Sequence, residues 1–281
     1  MANETTSSTI SELYTEIIAE ALFVAQEQSI MRNLVKNYTI SGQGKSVEVP
    51  IYAAVSAAGV SEASDLSNTA INPSSVTITA SEVGIMTTLT DLARNSASRN
   101  VASDIGKLFG NAIAKKIDTD LIALFDGFSK IVGGADVAFS AAKLFEAIAE
   151  LRNLGVPTTD LACVVHPYIA YDLKGAITNT FANPNPSDVA NEAMSTGYVG
   201  RVAGVPVYES SNISNTGTTG DYKGALFHRD ALGLAMMQDL KIETQRDASL
   251  RADEIVATAV YGVGELNDTY GVELMMDSSL L

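Results

Sequence analysis

The chain has 281 residues, 46% of them hydrophobic, with a formal net charge of -15 and a single cysteine. That composition provides a sizeable core, in one large domain or two smaller ones, and excludes both a disordered chain and a disulfide-framed one. An acidic surface repels phosphate, and the 18 basic residues form no run, so sequence-specific nucleic-acid binding is not expected.

The start, Met1 to Thr5, has no basic stretch ahead of an apolar one, and no apolar run is long enough to cross a bilayer. The expectation is a soluble protein that folds in a cytoplasm, with no membrane partner. Thr9 to Gln28 reads as an amphipathic helix: Thr9 and Glu12 fit a capping box, and Ile10, Leu13, Ile17, Ile18 and Leu22 recur at helical spacing. It precedes any core-forming strand, as an arm would.

Ser46–Ile51 alternates apolar and polar residues, and Pro50 marks it as an edge or exposed ribbon. A second alternating run covers Val76–Ala80. Ala53 to Ser75, between them, is rich in Ala, Ser and Asn and lacks periodicity. A structureless connection of about 20 residues is unusual inside a compact domain. The reading is a long two-stranded loop that leaves its own subunit and lies on a neighbour, because an isolated hairpin is marginal in water. From Ser46 to Ala93 there is no Lys or Arg, so this segment is purely acidic.

Ser98–Phe128 predicts the longest helix, with Val101, Ile105, Leu108, Phe109, Ile113, Ile117 and Leu121 on one stripe and a length of roughly 40 Å. Lys107, Lys115, Lys116, Asp118 and Asp120 fall mostly off that stripe, and Gly133-Gly134 marks the end. An α/β pattern follows. Ser140 caps a helix carrying Leu144, Phe145, Ile148 and Leu151, which Gly155 and Pro157 stop. Leu161–Val165 is a buried strand, and Pro167 opens a short helix through Leu173. Asn183-Pro184-Asn185-Pro186 breaks the chain. Tyr198–Tyr208 gives strands about a turn at Gly204. Ala225–Met237 is apolar around His228-Arg229-Asp230. Strand-like runs close the chain at Leu240–Gln245, Glu254–Val263 and Tyr270–Met275.

No set of residues converges on chemistry. Gly44-Lys45-Ser46 lacks the earlier glycine of a phosphate loop, since Thr39 takes its place, and a strand follows where a helix is needed. Gly262-Val263-Gly264 lacks the third glycine of a dinucleotide fingerprint, with Asn267 there instead. His166 and His228 are the only histidines, and both read as hydrogen-bonded structural residues. No zinc pattern or nucleophile elbow is present. Asp118 and Asp120 read as a solvated helix face, because residues two apart on a helix do not face each other. Cys163, within an apolar run, reads as a buried small hydrophobe. No catalytic residue, cofactor or metal is expected.

The order of these elements resembles the major capsid proteins of tailed phages, the α+β fold first described in phage Hong Kong 97 and shared by encapsulins. Gly204-Val205-Pro206-Val207-Tyr208, Gly224 through Ala235, and the tail from Ile242 to Ala257 are similar to common family stretches. The resemblance implies an N-terminal arm at 1–45 and an extended β-hairpin loop with the first peripheral strands at 46–93. It further implies a peripheral-domain spine helix within 94–135, an axial domain at 136–238 and peripheral return strands at 239–281. It implies a shell protein, not an enzyme, that self-assembles as hexamers and pentamers around the phage genome. DNA would be enclosed without sequence-specific binding. The implied partners are further copies of itself, a scaffolding protein, a portal protein and a cement or decoration protein, in a virion assembled in the host bacterial cytoplasm. The chain starts at the arm, like members with a separate scaffolding protein. Some members cross-link covalently from a loop lysine; Ser46–Ala93 has none, and Lys45 at its base is the only nearby candidate.

The acidic loop, through Glu62 and Asp65, is expected to dock on basic groups of an adjacent subunit. Lys107, Lys115 and Lys116 on the spine helix and Arg246 and Arg251 in the tail are the candidates. The rival readings are an encapsulin-like compartment shell, which shares the fold, a flagellin-like or surface-layer protein, which the strand-rich C-terminus disfavours, and an α/β enzyme, which would need a polar constellation.

Overall fold

The computed structural model describes residues 29–280 apart from 43, 53–54, 58, 63–64, 66–67, 69, 97–100, 181–197, 203 and 216–219. The predicted arm helix at 9–28 and the break at Asn183–Pro186 lie outside the described residues. In chain order the elements are α1 (Met31–Leu34), β1 (Lys36–Thr39), β2 (Ser46–Ile51), β3 (Ser74–Thr79), β4 (Ser81–Thr90), α2 (Asp91–Ser96), α3 (Val101–Ile122), β5 (Ile131–Ala138), α4 (Ala141–Asn153), β6 (Leu161–Val165), α5 (Pro167–Thr180), β7 (Tyr198–Val202), β8 (Val205–Glu209), β9 (Asp221–His228), β10 (Leu232–Asp247), β11 (Ala252–Glu265) and β12 (Gly271–Asp277).

The first sheet has four strands in the order β1-β10-β11-β4. β10 and β11 form a long antiparallel hairpin from Leu232↔Glu265 to Asp247↔Ala252. With 16 residues, β10 reaches about 50 Å. Alternation explains how β11 packs: Ile255, Ala257, Ala259 and Tyr261 are buried, while Glu254, Val256, Thr258 and Val260 are half-buried. On α3, Phe109, Ile113, Ile117 and Leu121 recur every fourth residue and are buried in the same core.

The second sheet has six strands in the order β5-β12-β9-β6-β8-β7. β6 is buried at every position, and β9 at nearly all, the pattern of strands covered on both faces. α4 adds Leu144, Ala147, Ile148 and Leu151 to that core. The chain leaves this sheet for the first at a 3₁₀ turn, Arg229–Ala231, and returns at another, Asp268–Tyr270. The Ala231 carbonyl accepts from the amides of Leu266 (2.8 Å) and Asn267 (3.2 Å), which ties the two crossings together.

Several expectations change. The run 239–281 does not stay in one sheet: β12 leaves the first sheet and lies between β5 and β9. Gly271 makes this crossing possible, because a Cβ there would sit 2.1 Å from Phe128. β5 was hidden by Gly133-Gly134, which reads as a helix stop. In fact Gly133, at φ +100°, packs its Cα face against the Met275 carbonyl within an irregular strand. The spine helix ends at Ile122 and tightens to 3₁₀ over Ala123–Gly127, so its α-helical part spans about 33 Å. Leu108, assigned to the apolar stripe, is 64% exposed, whereas Asp118, assigned to the solvated face, is 2% exposed. Asp118 falls four residues from Ala114 and three from Leu121, both buried, and so shares their side of the helix. Ser140 does precede α4, but its hydroxyl makes no cap; its carbonyl accepts from Lys143 and Leu144 instead. Phe145, read as part of that helix's apolar face, is exposed.

Candidate assembly surface

β2 and β3 pair antiparallel from Ser46↔Thr79 at one end to Ile51↔Ser74 at the other. The end near Ser46 rests on the first sheet, where Ile40, Val49, Ile78, Ala80, Ala235 and Leu266 form a small core of their own. Glycines make the seat. A Cβ on Gly233 or Gly264 would come within 2.9 Å of the Ile78 side chain, and one on Gly262 within 2.4 Å of the Thr79 carbonyl. The Gly262-Val263-Gly264 run therefore serves close approach between backbone layers. Beyond Ile51 and Ser74, the described residues of 52–73 form no helix or strand. Tyr52, Val55, Val60 and Ile71 are exposed there, as are Glu62 and Asp65.

Lys107, Lys115 and Lys116 are exposed on the outer side of α3. Lys116 donates to Asp120 one turn on, at 2.6 Å. Arg246 lies near the tip of the β10–β11 hairpin and is engaged within its own chain. It grips both oxygens of Asp91, at 2.8 and 2.6 Å, and reaches Asp253 at 3.2 Å. Hydrogen bonds to Asp91 and Asp253 hold its guanidinium even further above neutrality than usual. Asp91 belongs to the acidic segment, so Arg246 is held by the base of that segment within its own subunit, a contact distinct from the expected docking of Glu62 and Asp65 on a neighbour. Arg251 is exposed at the hairpin turn, at φ +52°, and its carbonyl accepts from the Asp91 amide at 3.0 Å.

Asp118 is the functional residue that sequence reasoning missed. Its carboxylate accepts from the Ser29 hydroxyl (2.7 Å) and from the amides of Ile30 (3.1 Å) and Met31 (3.3 Å). It thereby caps α1 and pins the end of the arm to the spine helix. Burial pushes its pKa upward, and those three hydrogen bonds oppose the shift. The signal was an aspartate on the buried side of an amphipathic helix. Asp120 also has a structural task, accepting from the Tyr261 hydroxyl at 2.8 Å.

The histidines are structural as expected. His166 accepts from the Tyr168 amide at the start of α5 and stacks on Tyr222 with ring centroids 3.8 Å apart; burial lowers its pKa. His228 accepts from the Asp230 amide at 3.1 Å. Cys163 is fully buried, which pushes its thiol up to about 12. At the end of α3 a cleft of about 380 Å³ is lined by Thr119, Phe125, Asp126, Asn212, Ser214 and Lys223. Lys223 bridges Asp126 and the buried Glu273; its 3.3 Å contact with Glu273 is an ion pair without hydrogen-bond alignment. Burial raises the Glu273 pKa, partly countered by Lys223. Among the described residues no group of carboxylates, histidines or cysteine is arranged to hold a metal.

A loop on a hairpin, a spine helix across a long-stranded sheet, and a separate six-stranded sheet define a subunit of the capsid-shell class. A family model described as phage capsid protein matches residues 73–273, well over half of the chain, and the chain belongs to that family. Solved structures agree on the Hong Kong 97-like α+β fold. The capsid of cyanophage P-SCSP1u superposes with a TM-score of 0.70 at 20% identity, over 89% of each chain. Mycobacterium phage Che8 gives 0.68 at 19% identity, over 88% of this chain and 90% of that one. The holo-SrpI encapsulin complex of Synechococcus elongatus gives 0.67 at 11% identity, over 89% and 88%. No curated protein sequence matches the chain. The protein is a phage major capsid protein, a structural component of the virion that assembles with copies of itself.

Proposed function

We propose that copies of this chain form hexamers and pentamers that close into an icosahedral shell around the genome of a tailed phage, with no catalytic step of their own. The observation that carries this reading is the glycine-seated β2–β3 hairpin, which holds out a segment with four exposed apolar residues, Tyr52, Val55, Val60 and Ile71. Those apolar side chains find burial against a neighbouring subunit. The first sheet with α3 serves as the peripheral domain, and the second sheet serves as the axial domain, to which β12 is added. Residues 1–45 act as the arm.

Glu62 and Asp65 of the loop meet Lys107, Lys115, Lys116 and Arg251 of an adjacent subunit, while Arg246 stiffens the hairpin tip from within. A scaffolding protein guides assembly in the host cytoplasm, a portal protein occupies one vertex, and a cement protein covers the outer contacts. The net charge of -15 suits a wall that encloses DNA without gripping its sequence.

The test is expression with the scaffolding partner, followed by sedimentation and negative-stain microscopy. Wild type should form closed particles. A chain lacking residues 54–74 should fold, with a cooperative melt, yet form no stable particles. A wild-type protein that stays monomeric across salt and concentration overturns the reading. Particles that hold protein cargo and exclude DNA would favour the encapsulin-like alternative.

A further inference from the structure

β4 ends the first sheet, and its outer edge has no partner strand among the described residues. The Asp91 amide points into the sheet, to the Arg251 carbonyl, while the Ala80 amide points the other way, to the Lys45 carbonyl. Direction alternates along an antiparallel strand. Odd residues from Ser81 to Leu89 therefore face β11, and Glu82, Gly84, Met86, Thr88 and Thr90 turn their N–H and C=O groups to the open edge.

Edge strands are ordinarily guarded by shortness, charge, proline or bulges. β1, at the opposite edge, has four residues and opens with Lys36, paired to Asp230 at 2.8 Å. β5 carries Gly133 and Asp136 at positive φ and a register shift against β12. β4 is neither short, proline-bearing nor bulged. It has ten residues in unbroken register with β11, no proline, and Glu82 as its one charge; Met86 is 59% exposed.

We propose that β4 pairs antiparallel with β4 of a second copy about a two-fold axis, joining two four-stranded sheets into one continuous sheet. The inference rests on the shell reading, which brings copies of the chain together. The partner must offer an open edge of equal length and low charge, and among the strands that end the described sheets β4 is the longest. Placing Met86 opposite its own counterpart sets Gly84 against Thr88 and Glu82 against Thr90. Every outward-facing residue then meets another outward-facing residue, and no like charges oppose each other. The contact is isologous, so it closes on itself and leaves no edge to recruit further strands.

Met86→Cys tests the pairing directly. Opposed hydrogen-bonded residues hold their Cα atoms about 5.5 Å apart, within the disulfide range. The native Cys163 is buried and does not interfere. Mild oxidation of particles should convert most Met86→Cys subunits to covalent dimers, while Thr87→Cys, offset from its counterpart, should stay monomeric. Hydrogen exchange across residues 80–91 should slow at least about tenfold in particles relative to free subunits. Met86→Cys particles that form without the covalent dimer overturn the proposal. If exchange nevertheless slows, another segment such as 52–73 fills the edge. If wild type forms no particles, the shell reading fails. The pairing is then judged on concentrated soluble protein, where Met86→Cys dimers uphold it and their absence overturns it.

Discussion

Replacing Asp118 by alanine removes the acceptor for three donors at once. The Met31 amide and the Ser29 hydroxyl lie in buried residues, while Ile30 is half-buried, so water can reach part of that site. A buried donor left without a partner costs about 1–3 kcal/mol. The serine hydroxyl can rotate elsewhere, and removing the desolvated carboxylate returns some free energy. The net cost is then about 2–3 kcal/mol, a fall of roughly 5–10 °C in the melting temperature for a chain of this size. Asp118→Asn keeps an acceptor and separates charge from hydrogen bonding. Because burial raises the Asp118 pKa, its contribution is greatest below the unfolded value and declines as pH rises through the folded value. The penalty of Asp118→Asn should therefore be larger near pH 4 than at pH 7. Denaturant unfolding of unassembled subunits at both values measures it. A penalty that grows toward neutral pH, or an alanine variant as stable as wild type, would refute this account of the anchor.

Ile78→Ala should cost about 3 kcal/mol, the usual range for an aliphatic residue truncated in a packed core, and should speed exchange in 46–51 and 74–79 before other regions. Gly262→Val should displace the same hairpin, because its Cβ would meet the Thr79 carbonyl at 2.4 Å. Arg246→Glu should loosen residues 245–253 in the free subunit, since it sets a third carboxylate beside Asp91 and Asp253; an assembly defect with an undisturbed free subunit would contradict this. Cys163 in native protein should resist thiol reagents until global unfolding, because the thiolate is suppressed by burial. Particles should loosen as salt rises through the range where the Debye length falls below about 10 Å, with light scattering as the readout.

Strong periodicity made much of the fold legible. β2 and β6 stand where alternation and a buried apolar run put them, and Gly204, at φ +83°, does turn the chain between β7 and β8. β1, β4 and β5 were not legible as strands. β4 mixes Thr, Gly and Met and is buried only at Leu89, so no covered face imposes alternation, and β5 is broken by two glycines. The anchor at Asp118 is hidden in the sequence: Asp118 and Asp120, two apart on a helix, read as a solvated face, and the donors that satisfy Asp118 sit nearly ninety positions earlier in the chain. The same limit applies to Arg246: an arginine in a tail strand says nothing of Asp91 until the β4–β11 register brings them together. The exposed charges Glu62, Asp65, Lys107 and Lys115 are legible only as charges, since spacing along one strand or helix carries no information about what faces them.

The tie at Ala231 has a mechanical consequence. Both strands that pass between the sheets do so at one carbonyl, which receives Leu266 and Asn267 together. The two sheets are also joined by one continuous buried core, in which Ile255, Ala257 and Tyr261 of β11 share a cluster with Leu144, Cys163 and Phe227. A twist between the sheets would have to shear those packed side chains as well as the turns, so the joint is stiff.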